Sequence, residues 1–294
     1  MNSNIKAVVL DVDGILVGFK NGVNFPMPCL EIVNALKAIK ESGIPVILCT
    51  GRPFYTPAMK YVIEAAGLDN FHIGEMGCLI TNPFSEDVLQ CKTIEQSDCR
   101  RLARRLLENN IVTYFSTAEK YYVQKNQADN EINKLLSASI ETLPQVVDSL
   151  EESIKDSQVL YMSGSSKNKS AETAMAEIIT EFNGRIELLW GNNLFLTDHY
   201  YGFFVPSGVS KVASLSKLIK HLGISFESVL GAGDGVVDWE FMKLCGYRAT
   251  LENALPKVKQ NIATAIANDP HRNFLGPHID QNGILEVFKH FGLF

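Results

Sequence analysis

Cysteine pairing motifs are missing from this chain. Its six cysteines, Cys29, Cys49, Cys78, Cys91, Cys99 and Cys245, form no C-x-x-C pair, and several sit inside apolar runs. Thiols scattered in this way fit a reducing compartment better than a disulfide framework. Long apolar stretches are also absent. No run approaches the roughly 18 residues of a membrane span, and the opening MNSNIKAVVLD meets charge before a signal-like segment can form. A cytoplasmic location is expected, with no membrane partner; the sequon at Asn168 is then expected to be silent. An excess of positive charge is lacking too. The formal net charge is −6, which gives no support to nucleic-acid binding. There is no internal repeat and no low-complexity tract.

What the chain does have is an ordinary globular composition, 46% hydrophobic and 20% charged, over 294 residues. That length suggests about two domains. At both ends, short apolar runs alternate with amphipathic helical stretches. AVVL and PVILC read as buried strands, with FHIG and GCLIT as weaker ones. CLEIVNALKAIKESG places Leu30, Val33, Leu36 and Ile39 near one helical face before a stop at Gly43. YTPAMKYVIEAAG, SKVASLSKLIKHLG and DWEFMKLCG read as further helices, and SVLGAG as a strand running into a glycine loop. This rhythm predicts an α/β fold, a Rossmann-like parallel sheet covered on both faces.

The middle reads differently. TIEQSDCRRLARRLLENN is helical and opens on a capping-box pattern from Thr93 to Gln96. IVTYFSTAEKYYVQ predicts strands or a hairpin, SIETLPQVVDSLEESIKDSQ a mostly helical stretch, and VLYMSG and RIELLWGNNLFLT strands around the helix SAETAMAEIITEF. The reading is an α+β segment over residues 83–199 inserted into a core made of residues 1–82 and 200–294.

Chemistry concentrates at strand ends. In VVLDVDGIL, side-chain alternation lets Asp11 and Asp13 point the same way while Val12 points into the core. Open α/β sheets bind ligands beyond the carboxyl ends of their strands. Two close carboxylates repel unless one keeps a proton or a cation bridges them, and either solution is useful, as a general acid or as a Mg²⁺ site. The plain structural alternative is a strand-to-turn cap with Gly14. VILCTGR ends a second strand in Thr50, Gly51 and Arg52, where a hydroxyl and glycine-flanked amides can hold a phosphoryl oxygen, or simply make a turn. Lys211 in PSGVSKVASL falls in the first turn of a helix, unfavourable with the dipole unless an anion is nearby. VLGAGDGVVDWEFM puts Asp234 in a glycine loop and Asp238 one turn later, where it could serve as an N-cap.

The order Asp-x-Asp, Thr, Lys, Asp-x-x-x-Asp is far more specific than any of its members. It resembles the haloacid-dehalogenase-like superfamily, and the large insertion between the Thr and Lys motifs resembles the Cof-like sugar phosphatases. DVDGIL, PVILCTGRP, PSGVSKVASL, VLGAGDGVVDWEFM, LENALPKVK and IDQNGILEVF carry the likeness over nearly the whole chain. The resemblance implies a Mg²⁺-dependent phosphatase acting on a small phosphorylated metabolite, a phosphate monoester for which a sugar phosphate is the expected example. Asp11 would be the nucleophile that becomes an aspartyl-phosphate, and Asp13 the acid that protonates the leaving alcohol and then deprotonates water. Thr50, Gly51 and Lys211 would bind the phosphoryl oxygens. The Asp11 carboxylate, the Asp13 backbone carbonyl and Asp234 would hold the metal, with Asp238 and Arg52 in support. Four carboxylates, one lysine and Mg²⁺ sum to about −1, so a proton on Asp13 brings the site to about neutrality.

Three residues depart from the family pattern, each replacing a polar group: Ile15 after the glycine, Met76 in GEMGCLI and Val237 before the final Asp. They leave room for two rivals, a phosphomutase and a phosphate-binding protein that does not turn over. A phospho-acceptor receiver domain is too small to account for the insertion. Arg100, Arg101, Arg104 and Arg105 form a basic patch, read as a solvated helix face. GSSKNKS lacks the second glycine of a phosphate loop. His271, His278 and Asp280 are read as loop polarity, and Trp190 and Trp239 as packing residues.

Overall fold

A computed structural model describes residues 4–18, 21–191 and 199–293. Five parallel strands form one sheet in the order Asn273–Gly276, Tyr247–Leu251, Val229–Ala232, Ala7–Leu10, Val46–Leu48. Alternation along the central strands divides the core into two layers. Val8 and Leu10, with Leu48 and Leu230, pack against helices Leu30–Glu41, Pro57–Ala66 and Gly283–His290. Ala7 and Val9, with Ile47 and Val229, pack against helices Lys211–His221 and Val236–Met242 on the other face. Each such valine, leucine or isoleucine taken fully out of water contributes about 1.5–3 kcal/mol, which is why these strands read as unbroken apolar runs. In the first helix Ile32, Val33, Leu36 and Ile39 are buried, whereas Leu30, expected on that face, is exposed as its first residue.

A second, six-stranded sheet runs Ile186–Trp190, Tyr200–Pro206, Tyr161–Ser166, Val112–Ser116, Tyr121–Gln124, Gln145–Val147. Its neighbours are antiparallel except the last pair. It forms a cap over the parallel sheet. One of its faces sends Phe115, Met162 and Phe204 under helices Gln96–Glu108 and Ser170–Thr180. Alternation turns Tyr114, Tyr161 and Phe203 to the opposite face. A three-stranded antiparallel sheet, His72–Gly74, Leu79–Asn82 and Asp87–Cys91, joins the core at a single parallel bridge between Cys49 and Ile73. Strands pair across both expected boundaries of the insertion. Asp87–Cys91 is bonded to Leu79–Asn82, and the strand that begins at Tyr200 is bonded into the cap sheet.

Two local expectations are corrected. The helix after Thr93 begins at Gln96, with Glu95 at its N-cap and no side-chain capping bond. Backbone bonds from Lys92 to Cys78 and from Ile94 to Val159 keep the chain extended where the capping box would need it to turn. The stretch from Ser139 to Gln158 is only partly helical. Helix Glu131–Ile140 ends on Glu141 in the left-handed region (φ 51°), Pro144 follows, and Gln145–Val147 is a strand. The strand-like NNLFLT, residues 192–197, lies outside the described residues. All six cysteines are free thiols, and among the described residues no helix is long and apolar enough to cross a membrane.

His72 ties two strands together from within the core. It is fully buried; Leu48 N–H donates to its Nδ1 (3.2 Å) and its Nε2 lies 3.0 Å from the Leu68 carbonyl. One nitrogen accepts and the other donates, so the ring is neutral. Burial pushes its pKa down to about 4, against the Leu68 carbonyl and Asp69, which favour the charged form. The unfolded chain takes a proton near pH 6.5 and the folded one does not. His72 therefore contributes stability fully above that pH and loses it as pH falls towards 4, by up to about 3 kcal/mol. Urea unfolding of His72→Asn is expected to lose this part of the acid slope; a slope identical to the parent's would contradict a neutral, buried ring.

Candidate active site

Each charged residue follows a strand or opens a helix at one edge of the parallel sheet. Asp11 comes directly after Ala7–Leu10, its own N–H bonded to the Ala232 carbonyl of the adjacent strand (2.9 Å). Asp234 comes two residues after Val229–Ala232, and Thr50 two residues after Val46–Leu48. Lys211 is the first residue of its helix, whose N-cap Ser210 accepts from Ala213 N–H. Asp238 lies in the first turn of Val236–Met242 and accepts from Gly235 N–H (2.8 Å), a cap made from inside the helix.

The fold brings these groups together. The Lys211 ammonium lies 2.9 Å from Asp11 Oδ2 and 2.6 Å from Asp238 Oδ1. Asp11 Oδ1 accepts from Val12 N–H (2.7 Å). Oxygens of Asp11, Asp234 and Asp238 all lie within 4.8 Å of one another, the one such acidic cluster among the described residues. Gly14 has φ +74°, and a Cβ there would collide with the Asp234 carboxylate, so only glycine lets the turn pass this close. Burial, then the charge of Asp238, pushes the Asp11 acid up to about 8, with Lys211 pulling the other way. Burial, Asp238 and Asp11 raise the Asp234 acid well above the usual carboxylate range. Burial works against the Lys211 ammonium, but Asp11 and Asp238 outweigh it and its pKa is raised. Burial thus dominates for Asp11 and Asp234, while the two carboxylates that touch Lys211 hold its proton in place.

Asp13 stands apart from this cluster. Its carboxylate is gripped by Arg52, with Nε at 2.9 and 3.0 Å and Nη2 at 2.8 Å, and the same Nη2 donates to the Ser139 carbonyl on a cap helix (3.1 Å). Arg52 is therefore more central than a supporting residue. It also changes the charge count: with Arg52 included, the residues and a divalent ion sum to about zero without a proton on Asp13. Thr50 is fully buried; its N–H donates to the Ile73 carbonyl and its Oγ1 accepts from Arg52 N–H (3.1 Å). Two of the amides expected to cradle an anion are thus already engaged, and of the three residues Gly51 and Arg52 line the cavity described next, whereas Thr50 lies behind them. Of the three departures, Ile15 is buried in the core and does not face the site, whereas Met76 and Val237 line the cavity described next.

The cavity encloses about 550 Å³ between core and cap. Asp11, Asp13, Arg52, Lys211 and Asp234 line its floor, and tyrosines of the cap sheet line its roof. Two residues assigned no role from the sequence help to build it. Asn253 donates to the Gly14 carbonyl (2.8 Å) and accepts from Ile279 N–H (3.0 Å), fixing the turn after Asp13. Glu75, fully buried, accepts from Ser116 Oγ of the cap (3.1 Å), and burial raises its acid well above the usual range against that bond. A buried acid at a strand end was the available signal for Glu75; nothing in LENALPKVK singles out Asn253. The other sequence candidates do not join the site. Arg101, Arg104 and Arg105 pair with glutamates on the surface. His278 pairs with Asp280. Trp239 packs on the core as expected, but Trp190 is 39% exposed and borders the cavity.

Comparison with known proteins finds similarity over nearly the whole chain. The model of the haloacid dehalogenase-like hydrolase family matches residues 8–273. The phosphatase YwpJ of Bacillus subtilis is 24% identical, over 97% of this chain and 99% of the relative. A phosphoglycolate phosphatase of Staphylothermus marinus is 22% identical over 87% of this chain and 89% of its own. Among solved structures, a haloacid dehalogenase-like hydrolase from Bacteroides thetaiotaomicron superimposes with a TM-score of 0.80 at 20% identity, covering 97% of this chain and 98% of that one.

Lys211→Met leaves the acid cluster without its cation. Removing one partner of a buried pair costs about 3–5 kcal/mol, and the surviving carboxyls then hold protons more tightly. Raised acids stabilise the fold at low pH and lose that contribution as pH rises. Thermal melts of Lys211→Met are expected to fall further below the parent at pH 8.5 than at pH 5; an equal deficit at both would contradict the shared-cation arrangement.

Proposed function

Because the chain belongs to the haloacid dehalogenase-like hydrolase family, we propose that it is a phosphatase that cleaves a small phosphate monoester through an aspartyl-phosphate at Asp11. The observation that carries this reading is the contact of Lys211 with Asp11 at a strand end, facing the cavity between core and cap. The ammonium neutralises the nucleophile's neighbourhood, so that an anionic phosphoryl group can approach a carboxylate. Asp11 attacks phosphorus, the leaving alcohol departs, and water then releases phosphate. This splits one slow displacement into two faster ones.

Asp13 is suited to proton transfer. It is half exposed to the cavity, and its ion pair with Arg52 fixes its direction. It would protonate the leaving oxygen, then take the proton of the attacking water. Arg52 and the Thr50 hydroxyl would hold phosphoryl oxygens.

A divalent cation, Mg²⁺, fits this donor set. The acids offer hard oxygens that converge without enough positive charge to balance them. Asp11, Asp234 and the Asp13 backbone carbonyl would hold it, and Asp238 would act through Lys211. When bound, it would neutralise charge on the transferring group. The cap would select the leaving group and keep bulk water out; its polar ties to the core, Arg52 to Ser139 and Ser116 to Glu75, support that role. The free thiols favour a cytoplasmic setting.

Phosphate release from a panel of phosphate monoesters tests the reading. Turnover is expected with Mg²⁺, none after chelation, and none from Asp11→Asn, which should keep the parental circular dichroism. Substantial turnover by Asp11→Asn would remove the nucleophile. Asp13→Asn should slow alkyl esters at least ~10²-fold but p-nitrophenyl phosphate far less; equal losses would argue against its acid role.

A further inference from the structure

The roof of the cavity has a composition of its own. Five rings form an unbroken edge-to-face chain across four cap strands: Tyr121 to Tyr114 (5.5 Å between centroids), Tyr114 to Tyr161 (6.1 Å), Tyr161 to Phe203 (5.6 Å) and Phe203 to Tyr201 (5.4 Å). All five line the cavity. Most of their polar ends are turned into the protein. Tyr121 Oη is bonded to Ser137 Oγ (2.7 Å) and the Thr142 carbonyl (2.9 Å). Tyr114 and Tyr161 are nearly inaccessible, with their hydroxyls turned towards Ser163 and Ser116 respectively. Among the described residues, the cap contributes no charged and no amide side chain to this lining. Its one aliphatic hydroxyl there, Ser139, donates to the Leu136 carbonyl.

A polyhydroxylated group placed here would give up its bonds to water and find few in return. A flat apolar group meets ring faces and edges that it complements. We infer that this pocket takes an aromatic ring carried by the phosphoryl ligand, so that the substrate is the phosphate ester of an aromatic alcohol rather than of a sugar. The inference about the substrate rests on the phosphatase reading; the inference about the pocket does not.

Two arms keep them apart. In the binding arm, the Mg²⁺-loaded protein is titrated by calorimetry with benzylphosphonate and methylphosphonate, neither of which can be hydrolysed. Benzylphosphonate is expected to bind at least ~10-fold more tightly. Phe203→Ala is expected to remove most of that gap while holding methylphosphonate affinity within about twofold, which also reports an intact phosphoryl site. Tyr201→Leu, a smaller disturbance of the sheet, is expected to narrow the gap in the same way. In the turnover arm, 2-phenylethyl phosphate and glucose 6-phosphate, both esters of primary alcohols, are compared by phosphate release. The phenylethyl ester is expected to show at least ~10-fold higher kcat/KM. Equal binding of the two phosphonates, or preference for the sugar ester, overturns the inference. Tight benzylphosphonate binding with no ester hydrolysed upholds the aromatic pocket and defeats the phosphatase reading instead.

Discussion

One buried ammonium makes the rest of the site possible. Lys211 lies against Asp11 and Asp238 at once, and without it three nearly inaccessible carboxylates would face one another with no protein cation among them. Burying like charges is among the most costly acts in folding. The architecture is arranged around meeting that cost. Lys211 begins a helix, a position that disfavours a cation, and the two acids reverse that preference. Asp238 satisfies the backbone of its own helix with one oxygen and Lys211 with the other. Gly14 has no side chain because the Asp234 carboxylate fills the space one would take. Arg52 holds the remaining carboxylate, Asp13, on the side that faces the cap.

The two sheets divide the work by chemistry. The parallel sheet gathers charge at the ends of three adjacent strands, where side chains and backbone amides converge from separate loops. The cap sheet offers one face of rings to the cavity and buries the opposite face beneath its own helices. Both follow from the same period-two alternation. In the core it separates two hydrophobic layers; in the cap it separates packing residues such as Phe115 and Phe204 from cavity residues such as Tyr114 and Phe203. A phosphoryl group between a charged floor and an apolar roof would lie in a pocket of low polarity, where each fixed charge acts more strongly than it would in water.

Much of this was legible in the sequence because it rests on short-range pattern. Buried parallel strands announce themselves as AVVL and PVILC, and acids at their ends are conspicuous against the apolar background. Lys211 was legible for the opposite reason, as a cation where the helix dipole disfavours one. Other features depend on contacts that no local pattern encodes. The Arg52 grip on Asp13 and Ser139 joins residues 39 and 87 positions apart, and it altered the charge balance inferred from the motifs alone. The extension of the chain through Thr93 and Ile94 is imposed by strands far away in sequence. The aromatic roof draws its rings from four separated strands, each unremarkable by itself. Ile15 shows the converse: a departure from the family pattern that looked functional turns its side chain into the core.

The central claim proposed for this site is that Asp11, held by Lys211, is the carboxylate that takes up the phosphoryl group. It is tested most directly by mixing the Mg²⁺-loaded protein with a phosphate ester it hydrolyses, quenching in acid within a turnover, and mapping phosphorylated peptides by mass spectrometry. The account predicts one acid-stable, base-labile phosphoryl group on the peptide containing Asp11. Its absence there while ester is being hydrolysed, or its appearance on a different residue, would contradict it.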